Sequence, residues 1–95
     1  MERELMKTTI TVRAVVFGNP SALIFAKRLH GINGGEKMHT EAVSVSDEAL
    51  FRRLQEEVRP GDEIEASLAT DWYPDSFSTS LNDFRLLKIV SAKVV

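Results

Sequence analysis

Three of the seven aromatic side chains in this chain fall within one short stretch whose other residues are typical of a loop. The three are Trp72, Tyr73 and Phe77, and Pro74 and two aspartates stand among them. A loop with three large rings either folds back to cap the domain or offers flat faces to a ligand. Bases of single-stranded nucleic acid are the most common ligand of that kind, because every base has a face on which a ring can stack.

Cationic residues that could bind phosphates lie in the first half of the chain. Arg13, Lys27 and Arg28 fall in segments that should form neighbouring strands, and His39 follows in the next segment. Local basic patches favour nucleic-acid binding through counterion release. The formal net charge is nevertheless −2, from 12 Lys and Arg against 14 Asp and Glu. Because duplex-DNA binders usually have a basic surplus, the composition argues against that class and permits only a local patch.

The sequence contains no pattern typical of an enzyme, a metal site or a cofactor site. The acids of residues 62–65 alternate along a predicted strand, which is more typical of a solvated face than of a catalytic pair. The hydroxyls of residues 76–80 lack a neighbouring base, and no Gly-x-Ser-x-Gly elbow is present. Two histidines, His30 and His39, are too few for a usual zinc site. The glycines of residues 31–35 fit a hairpin turn better than a phosphate cradle.

Alternating apolar residues and turn signals predict five strands and one helix. The Asn33-Gly34 pair is the strongest signal for a two-residue hairpin and should join the second and third strands. The predicted strands cover residues 8–17, 22–30, 36–45, 62–70 and 81–90.

The predicted helix has about twelve residues and lies between the third and fourth strands. Ser46 is its expected N-cap, and Pro60 and Gly61 should stop the chain from continuing as a helix. Its apolar stripe should join the inward faces of the strands in one core. The predicted core residues are Ile10, Val12, Val16, Leu23, Phe25, Val43, Leu50, Phe51, Leu54, Ile64, Leu68, Phe84 and Leu86.

This order of elements, β-β-β-α-β-β, resembles the five-stranded OB barrel, in which the helix plugs the barrel bottom. The resemblance covers about residues 8–90, and the run Pro60-Gly61-Asp62-Glu63-Ile64 resembles the Gly-Asp entry into the fourth strand of many OB domains. The chain is similar to small bacterial OB-fold proteins of the single-strand-binding type. A ferredoxin-like sandwich would need a helix between the first two strands, and the turn at residues 18–20 leaves no room for one. An SH3-like barrel is the nearer alternative fold.

The resemblance implies a site for single-stranded DNA or RNA on strands two and three and the aromatic loop 71–80. Cations would bind phosphates and rings would stack under bases. Alternatively, Trp72 or Phe77 closes one barrel end and the cations are ordinary solvated strand residues. The implied binding residues are Arg13, Lys27, Arg28, His39, Trp72, Tyr73 and Phe77.

With 95 residues, the chain fits one OB-like domain over residues 8–90, preceded by a frayed extension at residues 1–7. Residues 91–95 form an apolar tail that could extend the fifth strand and pair with a second copy or another protein. A self-associating structural module is therefore the alternative to a nucleic-acid binder. The chain has no cysteine and no apolar run of membrane length, so we expect a cytoplasmic protein without a membrane partner.

Overall fold

The computed structural model describes residues 2–30 and 35–89, which form a five-stranded barrel with one helix. The strand order is β1-β2-β3-β5-β4, and β4 pairs again with β1 to close the barrel. The predicted mainly β architecture and its order of elements are confirmed, in the OB-like arrangement rather than the SH3-like one. The elements are β1 (Glu2–Val16), β2 (Ser21–His30), β3 (Glu36–Val45), α1 (Glu48–Glu57), β4 (Glu63–Trp72) and β5 (Phe77–Lys88).

The pairing divides the barrel into a closed end and an open end. Residues 2–11 of β1 pair with β4, whereas residues 11–16 pair with β2. The β2–β3 hairpin pairs along its whole described length, but β3 joins β5 through one described pair, Ser44 with Ser80. Two arms, β2–β3 and β1–β4–β5, therefore extend past the closed part of the barrel. The predicted Asn33-Gly34 turn and the predicted tail at 91–95 lie outside the described residues.

Residues 2–7 belong to β1, so the predicted frayed extension is wrong for this segment. Glu2 lies opposite Trp72, and the pairing continues without a break to Thr11. One residue further along, the guanidinium of Arg3 donates two hydrogen bonds to the carboxylate of Asp71, at 2.7 and 3.1 Å. The segment has no clear apolar alternation, and its strand structure depends on β4, which is distant in sequence.

The predicted core is largely confirmed, with one clear error at Val16. Val16 is 43% exposed, because a bulge between Val12 and Ala14 shifts the alternation of β1 and turns Val15 partly inward instead. Leu86 is only partly buried against the core. The confirmed core residues are Ile10, Val12, Leu23, Phe25, Val43, Leu50, Phe51, Leu54, Ile64, Leu68 and Phe84.

Helix α1 covers the closed end of the barrel. Its N-cap is Asp47 rather than Ser46, because the Asp47 carboxylate accepts the backbone N–H of Leu50 at 3.0 Å. The buried ring of Phe51 lies 6.1 Å from that of Phe17, which follows the end of β1. The N-terminal half of β1 and the β4–β5 turn therefore lie at the opposite end. No helix within the described part of the chain combines the length and the apolarity needed to cross a bilayer.

The entry into β4 contains a buried acid where the sequence predicts a solvated face. Asp62 is only 1% exposed, and its carboxylate accepts the backbone N–H of Arg59 at 2.8 Å. Its backbone carbonyl accepts the N–H of Val12, and Gly61, with φ of 98°, donates its own N–H to the Val12 carbonyl. This turn therefore connects the end of α1 to the bulged part of β1.

Candidate functional site

The aromatic stretch forms the tip of the β4–β5 hairpin rather than a loop over residues 71–80. Strand β4 continues to Trp72 and β5 begins at Phe77, so only residues 73–76 form the turn. The backbone N–H of Tyr73 donates to the carbonyl of Ser76 at 2.8 Å and closes it. Trp72 and Phe77 are therefore a directly opposed pair in the ladder, with backbone positions that the sheet holds in place.

The rings of Trp72 and Phe77 pack against each other and remain exposed. Their centroids are 5.1 Å apart and their planes are tilted by 39°. The exposed fractions are 41% for Trp72 and 61% for Phe77. The alternative in which one of these rings closes a barrel end is therefore wrong. The pair presents two aromatic surfaces to solvent at the end of a hydrogen-bonded hairpin.

Trp72 and Phe77 lie on the side of the sheet that continues the barrel interior. Along β4, the buried Leu68 is followed on the same side by Thr70 and then by Trp72. On β5, Thr79 and Phe77 continue the same alternation outward from the core. The hydroxyls of Thr70 and Thr79 lie 3.3 Å apart and are hydrogen-bonded. Moving inward from the ring pair, the surface thus changes from aromatic to polar to apolar.

An open depression of about 430 Å³ lies beside this threonine pair. Its floor is apolar, and Lys27 and Glu41 belong to its lining. His39 lies directly opposite Lys27 in the β2–β3 ladder, and its Nε2 is 3.5 Å from a carboxylate oxygen of Glu41. We call the ring pair and this depression together the open-end face. Its principal residues are Met6, Lys27, His39, Glu41, Thr70, Trp72, Phe77 and Thr79.

Two of the cations predicted for the site lie elsewhere. Arg28 follows Lys27 along β2 and therefore points to the other side of the sheet, where it lines a separate cavity of about 240 Å³ with Met38. Arg13 lies at the β1 bulge, roughly 35 Å along the strand from Glu2, the residue that pairs with Trp72. Neither arginine lies on the open-end face.

Tyr73 also lies away from the ring pair. The pKa of Arg3 is raised first by its hydrogen bond to Asp71 and then by the charge of that carboxylate, and Tyr73 adds a smaller electrostatic contribution. The hydrogen bond from Arg3 also lowers the pKa of Asp71. Asp71 precedes Trp72 on β4 and therefore points to the outer side of the sheet, and the electrostatic contribution of Tyr73 to Arg3 places Tyr73 near this ion pair. The structure thus brings four predicted residues to one face: Lys27, His39, Trp72 and Phe77.

The open-end face carries charges of both signs. Lys27 and Glu41 are joined on this side of the sheet by further charged residues, because every second residue of β1 from Met6 and of β3 from His39 points the same way. The acids are Glu2, Glu4 and Glu41, and the lysines are Lys27 and Lys37. The face therefore has no basic surplus. Its most evident binding features are its rings and its depression.

No family model matches the chain, and no curated protein matches it. Solved structures do match, among them the mitochondrial single-stranded DNA-binding protein Rim1 from S. cerevisiae. A selenomethionine-labelled crystal form gives a TM-score of 0.70 at 19% identity, covering 93% of this chain and 98% of that chain. A second crystal form gives 0.70 at 18% identity, covering 92% and 96%. The fold is an OB fold.

Within this OB fold, the sequence did not point to Met6, Glu41 or Thr70 as lining residues of the depression. Glu41 lines the depression because it lies opposite the buried Phe25, and Met6 lines it because it lies opposite the buried Leu68. Both assignments need the register between strands, which composition does not supply. Thr70 was predicted to lie at the end of the fourth strand. Its contact with Thr79 could not be predicted, because β5 begins at Phe77 and not at residue 81 as predicted.

Proposed function

We propose that this protein is a non-enzymatic module that binds single-stranded DNA along the open-end face. The observation that carries the proposal is the exposed ring pair of Trp72 and Phe77, with centroids 5.1 Å apart. Aromatic surface left open to water at the tip of a hydrogen-bonded hairpin suits stacking with an unpaired base. A duplex would offer such rings only the edges of its bases, so the proposed ligand is a single strand.

The remainder of the open-end face supplies polar groups on a path leading away from the rings. Lys27 can donate charge-assisted hydrogen bonds to a phosphate or to the acceptor atoms of a base, and whichever of the Thr70 and Thr79 hydroxyls does not donate to the other can donate a neutral one. OB barrels as a class bind oligonucleotides on strands two and three and on the adjoining loops. The resemblance to single-stranded DNA-binding proteins supports the same ligand class for this chain.

The balance of charges on the open-end face predicts weak salt dependence for this binding. For single strands, the logarithm of the binding constant falls by about 0.7 per neutralised phosphate for each unit of log salt concentration. Because Lys27 and Lys37 can neutralise at most two phosphates, the slope is no steeper than about −1.4. Stacking, at about 1 to 3 kcal/mol per base, then supplies most of the affinity.

Trp72 allows a direct test, because it is the only tryptophan in the chain. Its fluorescence is titrated at low salt with a mixed-sequence single strand of about a dozen bases, a length within the range that OB folds bind. The same strand annealed to its complement is the control. We expect saturable quenching by the single strand and much less by the duplex. Absence of quenching, together with no mobility shift at tens of micromolar protein, would reject the proposal.

A further inference from the structure

The depression on the open-end face contains an acid that a binder of phosphates alone does not need. Glu41 lines the same depression as Lys27, where its negative charge repels a phosphate backbone. We propose that this depression holds one base of the bound strand and that Glu41 and Lys27 select guanine there. The proposal rests on the proposed function, because the selected base belongs to the same single strand.

The geometry places the two charged groups at the edge of an apolar floor. Phe25 lies opposite Glu41 and Lys27 lies opposite His39, so Lys27 and Glu41 are diagonal neighbours, about 7 to 8 Å apart. The floor includes Phe25 and Leu68, which suit the flat face of a base. With about 430 Å³, the depression has the size typical of small-molecule sites.

Both charged groups are available to a ligand. Glu41 has only His39 as an ion-pair partner among the described residues, at 3.5 Å, and this leaves carboxylate lone pairs free. Within the same described part of the chain, no acid lies at ion-pair distance from Lys27. Glu41, His39 and Lys27 project from the same side of the β2–β3 arm, because His39 lies opposite Lys27 and Glu41 is two residues further along β3.

Guanine is the base whose hydrogen-bonding edges fit these two groups together. Its N1–H and N2–H₂ donors are adjacent and match the two oxygens of a carboxylate. Its O6 and N7 acceptors are also adjacent and suit a lysine ammonium. Thymine would turn a carbonyl towards the carboxylate on each side of its one N–H. Adenine and cytosine would offer one amino group beside a bare ring nitrogen, so one carboxylate oxygen would face another acceptor instead of a donor.

The test uses competition by four oligothymidines that differ only in one central base, which is G, A, C or T. Displacement of a fluorescent single strand from the full chain is measured by anisotropy. We expect the strand with guanine to bind about tenfold more tightly than the others, as a bidentate base contact implies. Glu41→Gln should bring the four affinities together, because the amide keeps one acceptor and replaces the other with a donor.

Glu56→Gln is the matched control, since Glu56 is an exposed acid on α1, away from the open-end face. This variant should keep the guanine preference. Equal affinity of the wild-type protein for all four strands would overturn guanine selection while leaving the proposed function intact. A preference that survives Glu41→Gln would overturn the role of Glu41. Failure of every strand to bind would overturn both proposals together.

Discussion

Replacing Phe77 with alanine tests the ring pair while keeping Trp72 as a fluorescent reporter. If each ring contributes to stacking one base, losing Phe77 removes about 1 to 3 kcal/mol of binding free energy. That range corresponds to a dissociation constant roughly five to 150 times larger. The effect should appear with single strands of any sequence, because stacking on a ring does not read the edges of a base.

The same substitution should have a small effect on folding. Phe77 is 61% exposed, so the folded state removes little of its ring from water. The main loss is its packing against Trp72, since aromatic pairs contribute about 0.5 to 1.5 kcal/mol beyond buried area. We therefore expect the free energy of unfolding to fall by about 1 kcal/mol, which a domain stable by about 5 to 15 kcal/mol tolerates.

The assay combines two measurements on each variant: anisotropy with a labelled single strand, and urea unfolding followed by circular dichroism. Phe17→Ala is the matched control, because Phe17 is 80% exposed and packs near Phe51 at the closed end. That variant should bind the single strand as the wild-type protein does. Unchanged affinity of Phe77→Ala, or a similar loss of affinity in Phe17→Ala, would show that the ring pair does not bind the strand.

Three further predictions concern the scaffold. Phe51→Ala should lower the free energy of unfolding by about 3 to 5 kcal/mol in urea titrations, and a near-silent change would contradict the helix packing described above. Asp62→Ala should cost about 1 to 3 kcal/mol in the same assay, because it leaves the Arg59 N–H without its acceptor. Asp71 has a folded pKa below its unfolded value, about 3.9, because Arg3 stabilises the carboxylate. Its contribution to stability is therefore present above about pH 4 and is lost as the pH falls through the folded pKa. The stability difference between the wild-type protein and Asp71→Asn should accordingly shrink from pH 6 to pH 3, and growth on acidification would contradict this assignment.

The order of elements could be predicted because each element has a local signal. Strand β3 begins at Glu36 and ends at Val45, as predicted, because the Asn33-Gly34 turn signal in the sequence marks where a strand following β2 should begin. Helix α1 was predictable from its apolar stripe and from the acids at its start. Such signals lie within one segment of chain, so they can be read without knowledge of the partner strands.

The strand ends and the bulge could not be predicted, because they depend on residues distant in sequence. The N-terminal half of β1 is polar and forms a strand only because β4 supplies the matching backbone groups. Trp72 and Phe77 pair across the hairpin tip, although Pro74 and the aspartates indicate a loop. The bulge after Val12 reverses the expected direction of Val16, and nothing in the local alternation marks it.

In the candidate site, too, some features could be predicted from the local sequence and others depend on strand pairing. Because alternate residues of a strand share a side, Lys27 and Arg28 could have been assigned to opposite faces from the sequence alone. The distance of Arg13 from the aromatic residues follows only from the pairing of the N-terminal half of β1 with β4. The position of Glu41 beside Lys27 likewise required the β2–β3 register.

Binding of a single strand at the ring pair is best tested by the response of the Trp72 indole N–H in a ¹H–¹⁵N spectrum as a single-stranded oligonucleotide is added. With one tryptophan in the chain, this resonance needs no assignment. We predict that it shifts progressively and saturates, together with the amides of residues 70–72 and 77–79, while the amides near Phe17 do not move. Binding at the ring pair would be contradicted if the indole resonance stayed in place while the oligonucleotide bound, or if the largest shifts lay around Phe17 at the closed end.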